Sequence, residues 1–197
     1  MTDKPSRKDH ILQKLVSLLE QSEHQRITTA LLAKEAGISE AALYKHFPSK
    51  ARMFEDIIDF IEKTLFTRIN FILQEDKNQL HQLEQISRLV LLFAEKNPGL
   101  CKILTREALV HEHNRLQGRI EQLFNRIETQ IRQILKDAEI VAGMKPALLK
   151  TTMARFLLHV MEGRINHYVR SNFMVKPTDD WNAVWLMLQS HLFIMDH

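Results

Sequence analysis

The chain has 197 residues, 45% of them apolar and 26% charged, which is enough for one ordinary domain or for a small module joined to a larger one. A net charge of +3 is too small an excess to indicate nucleic acid, so the position of the charges matters more than their sum. A single cysteine excludes an internal disulfide, and no apolar run approaches the ~18 residues of a membrane span. We therefore expect a cytoplasmic protein that does not bind a membrane.

Few glycines and prolines interrupt the chain, and helix-forming residues dominate it, so we predict an all-α fold. Capping residues and helix breakers divide the sequence into about nine helices. The predicted helices cover, in chain order, about 7–22, 28–36, 39–47, 49–74 and 78–96, short pieces within 100–111, and then 115–138, 146–173 and a last helix from 178. We expect Pro146 in the first turn of the eighth helix and Thr178 or Asp179 as the cap of the ninth. The first three helices would form a head, residues 1–53, before a larger helical body, residues 54–197.

The segment Ala36-Gly37-Ile38-Ser39 predicts a tight turn between the second and third helices. Gly37 tolerates a left-handed conformation, and Ser39 can accept backbone N–H groups to start the next helix. With Leu43 and Phe47 facing inward, the third helix is polar outside, which is typical of a helix-turn-helix whose second helix enters the DNA major groove. The side chains suited to contact phosphates or base edges are Thr28, Thr29, Ser39, Tyr44, Lys45, His46 and Lys50. The alternative is a pair of helices whose polar faces are merely solvated.

The fourth predicted helix has two apolar faces. One face carries an ordinary core stripe, formed by Phe54, Ile58, Ile61, Leu65, Ile69 and Ile72. The opposite face carries Ile57, Phe60, Thr64, Thr67 and Phe71. Either other helices cover both sides, or part of the second face is an exposed patch for a partner. The spacing of these residues leaves both explanations open.

The run ITTALLAKEAGISEAALYKHFPSKARMF, residues 27–54, resembles the DNA-binding signature of the TetR family of regulators. Members of that family typically show a threonine pair, an alanine-glycine turn, a recognition helix with leucine, tyrosine, histidine and phenylalanine, and a serine-lysine start to the fourth helix. All of these positions match here. The resemblance implies a TetR-like fold that binds palindromic double-stranded DNA as a homodimer, with one or more dimers on each site.

The rest of the chain resembles one group within that family, the nucleoid occlusion proteins of enteric-type bacteria. The matching segments are KNPGL, RLQGRIEQLFNRIE, and VRSNF followed by KPTDD. This resemblance implies a nucleoid-associated protein that, when bound to DNA, blocks assembly of the tubulin-like division protein FtsZ. The implied groove for the C-terminal tail of FtsZ is formed by Phe60, Arg68, Leu89, Leu92, Lys96 and Asn97. Leu92 and Lys96 stand where the group is expected to have glycine and arginine, and the bulkier Leu92 would narrow the groove.

Two later helices carry broad apolar stripes. The residues concerned are Phe156, Val160 and Met161 in the eighth helix and Trp181, Trp185 and Leu188 in the last. Within one chain such stripes would be ordinary core. The TetR resemblance implies instead that they form a dimer interface, because TetR-family proteins pack these two helices of each copy into a four-helix bundle.

We expect no enzyme activity, no metal site and no cofactor. His111-Glu112-His113 is the densest histidine cluster, but residues two apart on a helix point to different faces, and Cys101 is interpreted as a buried structural thiol. The alternative to a division inhibitor is a ligand-gated TetR-type repressor, which needs a sizeable cavity with convergent polar groups. Later helices rich in Leu, Ile and Met favour a filled core, so no small-molecule ligand is expected.

Overall fold

The computed structural model describes residues 6–21, 27–110 and 112–194. Within these residues there are nine α-helices and one short 3₁₀ turn, so the predicted all-α fold is confirmed. The α-helices are α1 (Arg7–Gln21), α2 (Thr29–Glu35), α3 (Glu40–His46), α4 (Lys50–Glu75), α5 (Gln79–Lys96), α6 (Pro98–Leu104), α7 (Asn114–Ala142), α8 (Lys150–Arg170) and α9 (Trp181–Leu192). The 3₁₀ turn, Glu107–Leu109, lies between α6 and α7.

The helices form two compact units. The first unit consists of residues 1–61 and 97–120, and the second of residues 62–96 and 121–197. The two longest helices, α4 and α7, contribute residues to both units. Within the first unit α1 packs against α2 and α6, and within the second unit α5 packs against α8 and α9.

Helices α1 and α6 of the first unit approach each other closely. Ile11 and Leu15 of α1 are fully buried. Gly99 of α6 lies directly against α1, because a Cβ added to it would be 2.2 Å from the carbonyl oxygen of Val16. Any side chain at position 99 would therefore force α1 and α6 apart.

A network around Glu95 fixes the loop before α9 in the second unit. The hydroxyl of Tyr168, on α8, donates to the carbonyl oxygen of Glu95 at 3.2 Å. The Glu95 carboxylate accepts a hydrogen bond from the Thr178 hydroxyl and pairs with Lys176 at 3.6 Å. These contacts hold the loop against the C-terminal end of α5.

Pro146 lies in an extended segment before α8, so its predicted place in the first turn of that helix is wrong. It faces Phe193 in an isolated antiparallel bridge. The amide of Ala147 donates to the carbonyl oxygen of Leu192 at 2.9 Å. The segment satisfies its backbone groups by pairing with the chain at the end of α9, and α8 begins only after this pairing ends.

The residue before α9, Asp180, is left-handed (φ 54°) and makes no side-chain capping bond. The prediction that Thr178 or Asp179 caps this helix is wrong, because both side chains are engaged elsewhere. The Thr178 hydroxyl bonds to Glu95, and the Asp179 carboxylate accepts the amide of Lys176 at 2.9 Å. Tertiary contacts of the loop thus override the local capping preference.

Candidate DNA-binding and partner-binding sites

The turn between α2 and α3 has the local geometry that the sequence predicts. The Thr28 hydroxyl caps α2 by accepting the amide of Leu31 at 3.2 Å. The Ser39 hydroxyl caps α3 by accepting the amide of Ala42 at 3.1 Å. Gly37 is left-handed with φ 65°, which ends α2 and lets the chain turn into α3.

The inner side of this helix pair is apolar and its outer side is polar. Leu32, Leu43 and Phe47 are fully buried. Of the predicted DNA contacts, Thr28, Ser39, Tyr44 and Lys45 are exposed, and Thr29, His46 and Lys50 are half-buried. The outer side therefore presents hydroxyl and ammonium groups, which are suited to hydrogen-bond with phosphates and base edges.

Glu40 lies among the predicted DNA contacts although it is not one of them. The Thr29 hydroxyl donates to the Glu40 carboxylate at 3.0 Å, and the Tyr44 hydroxyl donates to the Thr29 hydroxyl oxygen at 3.5 Å. This chain of bonds ties the start of α2 to α3. One sequence feature could have identified Glu40: it lies in the first turn of α3, where the helix dipole favours a carboxylate.

The Lys50 side chain is turned back onto the first unit. Its ammonium lies 2.6 Å from a carboxylate oxygen of Glu112 and 5.5 Å from the centroid of the Phe54 ring. The side chains of Lys50 and Glu112 are 18% and 11% exposed. Just before Lys50, the Ser49 hydroxyl accepts the amide of Arg52 at 3.2 Å and caps α4. Sequence reasoning did not identify Glu112 as the partner of Lys50, because the two residues are 62 positions apart and no motif links them.

The second apolar face of α4 is partly covered. Ile57 is buried, whereas Phe60 and Phe71 are 55% and 59% exposed. The chain itself covers Ile57, and both phenylalanines lie at the surface.

The predicted FtsZ-contacting residues are distributed over both units. Phe60 and Asn97 belong to the first unit, and Arg68, Leu89, Leu92 and Lys96 belong to the second. Asn97 and Leu89 are half-buried, and the other four are exposed. Of these six residues, the exposed ones in the second unit are therefore two cations and one apolar side chain, which are residue types suited to a peptide that carries carboxylates and apolar side chains.

The predicted dimer-interface residues divide into buried and exposed ones. Met161, Trp181, Trp185 and Leu188 are buried within the chain, Val160 is half-buried, and Phe156 is exposed. The four buried residues pack α8 and α9 into the second unit. Exposed apolar side chains that the spacing missed are Leu186 and Met187, at 61% and 59% exposure.

An apolar hollow lies where α8 and α9 meet. Its volume is about 340 Å³, and its lining is Leu148, Met153, Phe156, Met187, Leu188, His191 and Leu192. Two exposed residues, Phe156 and Met187, lie at this hollow. A surface of this kind is suited to receive apolar side chains from another protein.

Cys101 is a buried thiol, as the sequence interpretation has it. Burial raises its pKa to about 12, which keeps the thiol protonated. The thiol donates to the carbonyl oxygen of Asn97 at 3.5 Å. A protonated, buried thiol is a structural group and a poor nucleophile.

The described residues contain no group of three or more His, Cys, Asp or Glu side chains that could hold a metal ion, and His111 of the histidine cluster lies outside them. In the same part of the chain, none of the helices has the length and apolarity needed to cross a membrane.

Two regions of the chain match known family descriptions. Residues 11–57 match the bacterial regulatory proteins of the tetR family. Residues 77–193, more than half of the chain, match the tetracyclin repressor-like, C-terminal domain of SlmA-like type. The capped helix-turn-helix and the all-α body agree with both matches. The chain therefore belongs to the TetR family, in the branch with a SlmA-like C-terminal domain.

Several curated relatives share one name. The nucleoid occlusion factor SlmA of Marinomonas sp. (strain MWYL1) is 52% identical over 191 residues, with 97% of each chain covered. The protein of the same name from Shewanella pealeana is 50% identical over 189 residues, with 96% of each chain covered. That from Photobacterium profundum is 50% identical over 190 residues, covering 96% of this chain and 97% of the relative.

Solved structures share the fold at much lower identity. The MbdR regulator from Azoarcus sp. CIB has a TM-score of 0.80 at 14% identity, covering 96% of this chain and 100% of the other. The ketosteroid transcriptional regulator KstR2 of Mycobacterium tuberculosis has a TM-score of 0.78 at 20% identity, covering 98% of each chain. Similarity at these identities establishes the TetR-like fold alone.

Proposed function

We propose that the chain is a nucleoid occlusion factor. It binds palindromic chromosomal DNA as a homodimer and, while bound, antagonises FtsZ assembly, so that the cell does not divide across the nucleoid. The observation that carries this proposal is a capped helix-turn-helix in a chain about half identical to three proteins named nucleoid occlusion factor SlmA, over 96–97% of its length. The protein would act in the cytoplasm on the nucleoid. Since the family is one of regulatory proteins, the chain is not an enzyme.

The outer side of α2 and α3 supports the DNA-binding part of the proposal. In a helix-turn-helix the second helix reads base edges in the major groove while flanking groups bind phosphates. Tyr44 and Lys45 are exposed on α3, and Thr28 is exposed at the start of α2. We assign residues 1–53 as the DNA-binding domain and residues 54–197 as the dimerisation and partner-binding domain.

The exposed apolar side chains of α8 and α9 support a homodimer. A second copy of the chain would remove Phe156, Leu186 and Met187 from water, which is favourable. The buried tryptophans of α9 would act indirectly, by holding that helix in place against the body. A two-fold dimer presents two helix-turn-helix motifs to the two halves of a palindrome.

Exposed residues of α4 and α5 support FtsZ binding. Arg68 and Lys96 are cations that can pair with carboxylates of an FtsZ tail, and Leu92 is an exposed apolar side chain of α5. Phe60 and Phe71 are exposed aromatic side chains of the kind that anchor peptides. Leu89 and Asn97 are half-buried, so each would offer a peptide less accessible surface than the exposed residues do.

FtsZ polymerisation followed by light scattering tests the proposal as a whole. The assay compares the protein alone, the protein with a palindromic duplex, and the protein with a scrambled duplex. The palindromic duplex is selected from a pool of random sequences by its binding to this protein. We expect suppression chiefly with the selected duplex. If the protein binds that duplex and FtsZ assembly is not suppressed, FtsZ is not a partner and the protein is a DNA-binding regulator. The ligand-gated repressor is then the function to test next.

A charge reversal separates the two activities. Arg68→Asp should abolish suppression of FtsZ assembly and leave duplex affinity unchanged, because Arg68 lies outside the helix-turn-helix. Arg132→Asp makes the same change at an exposed position of α7 and should leave both activities intact. Unchanged suppression by Arg68→Asp would remove this residue from the FtsZ surface, and parallel loss of DNA binding would indicate misfolding.

A further inference from the structure

The first residue of α4 already has an anionic partner within the chain. Lys50 is a predicted DNA contact, yet its ammonium is 2.6 Å from the Glu112 carboxylate and faces the Phe54 ring. Both side chains of the pair are largely shielded from water, since 18% of Lys50 and 11% of Glu112 is exposed. An ion pair with so little solvent contact is screened less by salt than a surface pair.

The polarity of this pair differs from that of its neighbours. Arg115 pairs with Glu55, and Arg119 pairs with Asp59 at 2.8 Å, so in these contacts α4 supplies the acid and α7 the base. At Lys50, by contrast, α4 supplies the base, and the acid, Glu112, lies just before α7. A cation in the first turn of a helix is disfavoured by the helix dipole, so helix stability does not explain a lysine here.

Glu112 and a DNA phosphate would pair with the same group, the Lys50 ammonium. The amides at the start of α4 and the charge of Lys50 both attract an anion to this corner of the first unit. In the free protein the Glu112 carboxylate supplies the anion that pairs with Lys50. A phosphate can bind the Lys50 ammonium at full strength only after that ammonium has left Glu112.

We propose that Glu112 competes with DNA phosphate for Lys50 and thereby lowers the affinity of the protein for any duplex. The proposal rests on the DNA-binding part of the proposed function. Glu112 acts through Lys50 and need not touch DNA. Because a phosphate contact carries no sequence information, the affinity is lowered alike for palindromic and unrelated DNA. Less of the protein is then held on the bulk of the chromosome.

A double-mutant cycle tests the competition. Fluorescence anisotropy gives the affinity of the wild type, Glu112→Gln, Lys50→Gln and the double variant for the selected palindromic duplex and for a scrambled duplex of equal length, at several salt concentrations. We expect Glu112→Gln to bind both duplexes about fivefold more tightly, a change in affinity that corresponds to the free energy of one ion pair. Lys50→Gln should weaken binding and reduce the salt slope by about one. In the Lys50→Gln background, Glu112→Gln should change affinity little.

A matched control excludes a general charge effect. Glu75→Gln removes one carboxylate at the other end of α4, about 37 Å along the helix, and should leave affinity unchanged. The competition is overturned if Glu112→Gln binds no more tightly than the wild type, or if it tightens binding equally without Lys50. A wild type that binds no duplex even at low salt would overturn the DNA-binding function itself, and this inference with it.

Discussion

The helix-turn-helix of the first unit and the α8–α9 pair of the second expose opposite kinds of surface. On α3 the exposed side chains include Tyr44 and Lys45, which carry a hydroxyl and an ammonium. On α8 and α9 they include Phe156, Leu186 and Met187. Both regions bury apolar residues inside their own unit, so the buried stripe does not distinguish them. The side chains left outside do.

The difference follows from what each proposed partner offers. DNA is a hydrated polyanion, and proteins contact it through polar and positively charged groups, often with water between them. A second copy of the chain offers another apolar surface, and the gain comes from removing both surfaces from water. The exposed face of a helix is therefore a better guide to its partner than its hydrophobic periodicity.

We expect the largest effect from a charge introduced among the exposed apolar side chains of α9. Met187→Asp should dissociate the proposed dimer, because a carboxylate would have to be buried without a partner. Affinity for a palindrome should then fall about 100-fold or more, since each head binds its half-site alone. Sedimentation gives the oligomeric state and anisotropy gives the affinity.

Met174→Asp is the matched control for that change. Met174 is 80% exposed in the loop after α8 and carries the same side chain. The control variant should remain a dimer with unchanged affinity. A Met187→Asp protein that is still dimeric would show that the apolar face of α9 serves another contact.

The next test concerns the backbone of the polar region. Gly37 is left-handed, so Gly37→Ala should lower the free energy of unfolding by about 1 kcal/mol. Gly118 lies within α7 and has open space around an added Cβ, so Gly118→Ala should raise it by about 0.5–1 kcal/mol. Urea unfolding at one fixed protein concentration compares the two, because dimerisation makes stability depend on concentration. Equal effects of both alanines would contradict the role of Gly37 in the turn.

The smallest expected effect is a charge removal on the polar side. Lys45→Gln should weaken duplex binding about fivefold and reduce the slope of log affinity against log salt by about one, because one phosphate contact is lost. Lys136→Gln removes an exposed lysine of α7 and should change neither quantity. A salt slope that Lys45→Gln leaves unaltered would exclude Lys45 as a phosphate contact.

Features that depend on local chemistry could be predicted from the sequence. Ser39 caps α3 and Gly37 is left-handed, because these preferences are set within three or four residues of each position. The helix-turn-helix is built from such local signals. Its position, its turn and most of its exposed side chains can therefore be predicted from the sequence.

Features that depend on distant partners could not be predicted. Pro146 is extended because it pairs with Phe193 at the end of α9. Thr178 does not cap α9 because its hydroxyl donates to the Glu95 carboxylate instead. Periodicity shows that Trp181 and Trp185 share a stripe, but whether the chain itself covers that stripe depends on tertiary packing. The pairing of Lys50 with Glu112 is of the same kind.

The close approach at Gly99 has a consequence for anyone who reads function from mutational tolerance. In a growth selection over all single substitutions, position 99 should reject even alanine, because one added carbon would meet the Val16 carbonyl oxygen at 2.2 Å. Its score would equal that of a residue in contact with DNA. What such a score reports at this position is a shortage of space the size of one methyl group.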